Sequence, residues 1–125
     1  MKSVYEIVIA VENLEEAVET YEAMGFKLDR RARSEALGID QAFFTTEDGT
    51  VIELAQPFDP DKAVGKGLAR NGEGLYMIAM TVDDVEKSAN RMKEKGIRLV
   101  EVGGRTFVHP SATKGILMRL DPPKN

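Results

Sequence analysis

The feature that most constrains this chain is an internal repeat. Tyr5 can be set under Tyr76, and the two copies then run on without a gap. Ile7 meets Ile78, Val11 meets Val82, Glu15 meets Glu86, Gly25 meets Gly96 and Leu28 meets Leu99. Conservative pairs lie between these: Glu12 with Asp83, Leu14 with Val85, Phe26 with Ile97 and Lys27 with Arg98. A repeat at fixed offset says that one supersecondary unit is used twice, which outranks any single motif as a statement about architecture.

Each copy has the same grammar. Tyr5, Ile7, Ile9 and Val11 alternate along a strand from Val4 to Val11, with Val4, Glu6, Val8 and Ala10 on its other face. A helix follows. Asn13 stands in cap position with Glu16 three residues on; Leu14, Ala17, Val18, Tyr21 and Met24 make the stripe, and Gly25 ends it. Strands are expected at Phe26 to Arg31, Asp40 to Thr46 and Thr50 to Ala55, the last two joined through Glu47-Asp48-Gly49. A connector from Pro57 to Gly74 holds a short helix at about Asp61 to Ala69. The second copy places a strand at Leu75 to Val82, a helix at Val85 to Lys95 stopped by Gly96, and a strand at Ile97 to Val102. Arg105 to His109 and Gly115 to Leu120 complete it, and Asp121 to Asn125 reads as a terminator.

The expected fold class is therefore α+β: two βαβββ modules in tandem, forming a cupped mixed sheet around a central cavity. The chain reads as a single domain over 1–125. Module one covers about 1–56, the connector about 57–74 and module two about 75–121. By strand parity and by the repeat, Glu6 and Met77 on the first strands, and Glu53 and Arg119 on the last, face the hollow. Gln41, Phe43 and Phe107 are candidate walls. Two carboxylates in a partly buried hollow repel each other, and Arg119 supplies the counter-charge.

Composition narrows the function. A net charge of −4 on mixed acids and bases gives no basic footprint, so nucleic acid is not an expected partner. There is no cysteine, which excludes disulfides and thiolate ligands and suits a reducing cytoplasm. A membrane is not expected, because the N-terminus enters a strand directly. A single histidine, His109, excludes a site needing two histidines from one chain. In its Phe-Val-His-Pro turn it reads as a structural hydrogen-bonding residue.

The chain resembles the vicinal oxygen chelate superfamily of glyoxalases, bleomycin-resistance proteins and dioxygenases, and within it the methylmalonyl-CoA epimerase branch. The residues that carry this are Ile7-Val8-Ile9-Ala10-Val11 with Leu14-Glu15-Glu16-Ala17, and Val51-Ile52-Glu53-Leu54 with Pro57. Further on they are Gly72-Glu73-Gly74-Leu75 with Val82-Asp83-Asp84-Val85, and Phe107-Val108-His109-Pro110-Ser111 with Lys114-Gly115-Ile116-Leu117. The resemblance implies a divalent ion held by one side chain from each first and last strand, here Glu6, Met77, Glu53 and Arg119. It also implies glutamate bases, where this chain has Gln41 and Arg119. The expectation is a protein that has lost the metal site and binds a small organic molecule with no cofactor, with no catalytic residue assigned. The alternative is a metal-dependent isomerase, lyase or dioxygenase with the ion at Glu6 and Glu53; a structural or regulatory dimer is the third reading. A homodimer is expected in each case, both from the sheet edges and from the resemblance.

Overall fold

A computed structural model describes residues 1–124; Asn125, the last residue of the expected terminator, lies outside the described residues. The elements are β1 (Ser3–Ala10), α1 (Leu14–Ala23), β2 (Leu28–Ser34), β3 (Ile39–Thr45), β4 (Val51–Pro57), α2 (Ala63–Asn71), β5 (Gly74–Thr81), α3 (Val85–Glu94), β6 (Leu99–Val102), β7 (Arg105–Val108), α4 (Pro110–Thr113) and β8 (Met118–Asp121). The fold is α+β with mixed parallel and antiparallel strand pairs, and it has the βαβββ order twice. The repeat extends to burial: β1 and β5 share one alternation, in which Glu6, Val8 and Ala10, and then Met77, Ala79 and Thr81, are the buried positions.

The chain divides into two compact units. One is Ile7–Tyr76; the other joins Met1–Glu6 to the residues from Met77 onward.

In the first unit, β2, β3 and β4 pair antiparallel in that order. α1 begins because the Asn13 side chain accepts the Glu16 N–H, satisfying a donor that the first turn leaves open. Gln56 Oε1 accepts the Leu14 N–H in the same way. The α1 stripe packs on the sheet: Val11, Leu14, Val18, Ala42, Phe44 and Leu54 form the core, ringed by Tyr21, Phe26, Leu28 and Ile52. Each large buried side chain contributes about 1.5–3 kcal/mol. Tyr21, Phe26 and Phe44 meet as an aromatic trio with centroids 5.4–6.0 Å apart. α2 starts two residues later than the expected Asp61. A β-carbon on Gly65 would lie 2.5 Å from the Asp59 carbonyl oxygen, and one on Gly67 would lie 2.9 Å from the Tyr76 ring, so both glycines permit close approach.

In the second unit β5 runs parallel to β8, β8 antiparallel to β7, and β7 antiparallel to β6. Asp84 caps α3 by accepting the Lys87 N–H. Val82, Val108 and Leu120 form the core, with Val85, Met92, Ile97, Leu99 and Met118 against it. The expected parity of the last strand holds, since Met118 and Leu120 lie on the α3 side. α4 was not foreseen. Pro110 supplies the fixed φ that suits a first helical position, and the His109 side chain caps the turn.

Candidate functional site

The second unit carries a charged cluster on β8. In the ladder Arg119 lies between Ala79 of β5 and Phe107 of β7. Ala79 is fully buried and projects only a methyl group, which leaves room for a guanidinium beside it. Arg119 Nε donates to Asp121 Oδ1 at 2.8 Å, and Nη2 donates to Asp121 Oδ2 at 2.9 Å and to Glu6 Oε1 at 3.1 Å. The side chains are 15% exposed for Arg119, 10% for Glu6 and 3% for Asp121. Burial alone would lower the Arg119 pKa. Asp121, through its hydrogen bonds and charge, and Glu6 outweigh that, and the pKa is raised above its ordinary value. Glu6 is thus a buried, paired carboxylate and not an edge-strand charge in water. Arg105 adds a looser, exposed contact to Asp121 Oδ1 at 3.5 Å.

Asp121 is the residue that the sequence reading missed, having assigned it to the terminator. A signal was present: it stands two residues after Arg119 on one strand, and residues two apart share a face. Asp121 is therefore a carboxylate of the Arg119 cluster. Met77 is buried on β5, and Phe107 is half-buried on β7.

In the first unit two of the three expected wall residues, Gln41 and Phe43, come together with Glu53. Phe43 pairs directly with Glu53, and Gln41 with Ala55. Gln41 Nε2 donates to Glu53 Oε2 at 3.0 Å, a diagonal contact across the β3–β4 ladder. Phe43 and Glu53 are buried; Gln41 is half-buried. A cleft of about 370 Å³ opens beside Gln41, with Ala32, Arg31, Asp40, Gln56 and the start of α1 in its walls. His109 is in neither cluster. Its Nδ1 accepts the Ser111 N–H at 3.0 Å and lies 2.8 Å from Ser111 Oγ, the structural hydrogen-bonding part expected of it.

Residues 5–110 match the glyoxalase/bleomycin resistance protein/dioxygenase superfamily. The chain belongs to that superfamily. Within it, the similarity runs to methylmalonyl-CoA epimerases. A Streptomyces coelicolor methylmalonyl-CoA epimerase, solved in complex with 2-nitronate-propionyl-CoA, is 34% identical, covers 96% of each chain and superposes with a TM-score of 0.81. A methylmalonyl-CoA epimerase solved with methylmalonyl-CoA and NH4+ is 32% identical over 98% of this chain and 99% of its own, with a TM-score of 0.80. The Bacillus subtilis protein YqjC is 27% identical over 93% of this chain and 89% of its own.

The superfamily's implied metal positions can now be set against the side chains present. Glu6 has its Oε1 engaged by a guanidinium, Met77 offers a soft thioether, and Arg119 is a permanent cation bonded to two carboxylates. These three are a poor donor set for a hard divalent ion, whereas Glu53, the fourth implied position, is a carboxylate of the kind the resemblance implies. Among the described residues, no group of three or more His, Cys, Asp or Glu side chains is placed to hold a metal ion. No helix among them is long and apolar enough to cross a membrane.

Proposed function

We propose that this superfamily member binds a small organic anion of the acyl-thioester class without a divalent ion. One observation carries the reading. The Arg119 guanidinium, at a position where the superfamily resemblance implies a metal ligand, already has Glu6 and Asp121 as its anions. A dication brought to Glu6 has to displace its buried pairing with Arg119 and then lie beside the guanidinium, both of which oppose binding. The proposed ligand contacts are Gln41, Phe43 and Glu53, which the β3–β4 ladder holds together. The similarity to epimerases crystallised with acyl-CoA compounds supports the ligand class. Neither Gln41 nor Arg119, which stand where the resemblance implies glutamate bases, can take a proton from a substrate carbon at neutral pH.

Calorimetric titration with nickel, cobalt, manganese and zinc tests this. No stoichiometric sub-micromolar binding is expected from wild type, and the pair Met77→His with Arg119→Glu is expected to gain it. Wild type that binds a metal as tightly as that variant overturns the proposal.

The 34% identity to an epimerase favours one alternative, a metal-dependent isomerase, lyase or dioxygenase. Solvent deuterium exchange into methylmalonyl-CoA, stimulated by added metal and lost with chelator, is the result that would select it.

A further inference from the structure

A β-bulge interrupts the pairing of β2 with β3. Leu28 pairs with Phe44, yet Arg30 pairs with Phe43, leaving Asp29 as the extra residue. Without a bulge, residues 28 and 30 would point to the same face. With it, Leu28 joins the core under α1 while Arg30 turns to the opposite face. The next residues confirm the switch. Arg31 pairs with Ala42 on the α1 side and bonds Glu15 of α1 at 2.7 Å. The bulge is pinned, because Thr45 Oγ1 donates to Asp29 Oδ2 at 3.1 Å.

The result is a row across three strands: Arg30, Phe43, Glu53. Ala32, Gln41 and Ala55 form the row beside it, and the Gln41–Glu53 hydrogen bond ties the two rows together. The Arg30 guanidinium lies over the Phe43 ring, 3.9 Å from its centroid. Stacking of this kind fixes the plane of the fork and leaves its N–H edges open. Among the described residues Arg30 has no carboxylate partner, whereas Arg119 has two. Between the two, Arg30 is the cation whose charge is not already neutralised.

We propose that Arg30, aimed by the bulge and held flat on Phe43, receives the anionic group of the ligand on the Gln41–Glu53 face. A carboxylate or a phosphate fits the open edge equally well, since both accept paired N–H donors. The assignment rests on the binding reading given above and adds the residue that recognises the anion.

The test is calorimetry at low salt with three probes: methylmalonyl-CoA, propionyl-CoA and the methylmalonyl thioester of N-acetylcysteamine. Wild type is compared with Arg30→Met, Arg30→Lys and, as a control for bulk charge, the exposed Arg91→Met on α3. Arg30→Met is expected to weaken binding about tenfold or more, as loss of a charged hydrogen-bond donor does. Arg30→Lys is expected to lose less, and Arg91→Met nothing. A loss confined to the two CoA compounds identifies a phosphate as the anion; a loss that includes the N-acetylcysteamine thioester identifies the carboxylate. Arg30→Met binding every probe within twofold of wild type overturns the inference while leaving the binding reading intact. Wild type binding none of the three overturns both.

Discussion

Asp121→Asn isolates what the buried cluster contributes to the fold. The substitution keeps size and shape but removes one charge and one acceptor. Asp121 receives two hydrogen bonds from Arg119, at 2.8 and 2.9 Å. Asparagine can still accept one of them through its carbonyl oxygen. The amide turns donors toward the other N–H, so that bond is lost. A hydrogen bond to a charged group contributes about 1.5–3 kcal/mol, and Arg119 would remain largely buried with its bond to Glu6 kept. Breaking a fully buried pair costs about 3–5 kcal/mol, but Arg119 keeps some access to water, which places the loss lower, at about 2–3 kcal/mol. For a chain of this length that corresponds to a fall in Tm of roughly 6–15 °C. Urea unfolding followed by circular dichroism should show a lower midpoint at an unchanged slope. The double variant with Arg119→Met should cost less than the two single changes together, since the bond can be removed only once. A midpoint that gives a loss under about 0.5 kcal/mol would mean that water screens the cluster, and the reasoning from burial would be wrong.

Three further outcomes are expected. Gly65→Ala should destabilise by about 1–3 kcal/mol despite its better helix propensity, because its β-carbon meets the backbone of Asp59 and Pro60. Gly67→Ala should cost less, because the Tyr76 ring can shift; equal urea midpoints for the two would refute the distinction. Asp48 in the β3–β4 turn has its pKa lowered below the ordinary 3.8, first by the Thr46 hydroxyl and then by the Thr50 N–H. A carboxyl lowered on folding stabilises above its ordinary pKa and loses that contribution as pH falls through the folded value. Asp48→Asn should therefore flatten the acid limb of the stability profile, and an unchanged limb in acid titration followed by circular dichroism would count against it.

What could be read in the chain is what local chemistry sets. Asn13 capping α1, Gly25 and Gly96 closing their helices, and the alternation of β1 and β5 all depend on neighbours a few residues away. The repeat then made one copy evidence for the other, and the motif residues carried the resemblance to the superfamily. The end of β2 was misplaced for a physical reason. The expected strand stops at Arg31, whereas β2 continues to Ser34 past a bulge held by Thr45 of another strand. No periodicity within residues 26–34 carries that hydrogen bond.

The sites divide in the same way. The sequence alone determined which residues share a strand face, because strand parity and the repeat assign positions without coordinates. Tertiary structure decided who pairs with whom. Arg119 had several acids within reach on paper, and only the pleat of β8 put Asp121 on its side chain while β1 brought Glu6. Arg30, one of three arginines in a four-residue run, alternates with Arg31 and Arg33, and a single unpaired residue decided which of them took the face opposite α1. Face and partner depend on register, and register is settled by contacts between strands that the linear order does not contain.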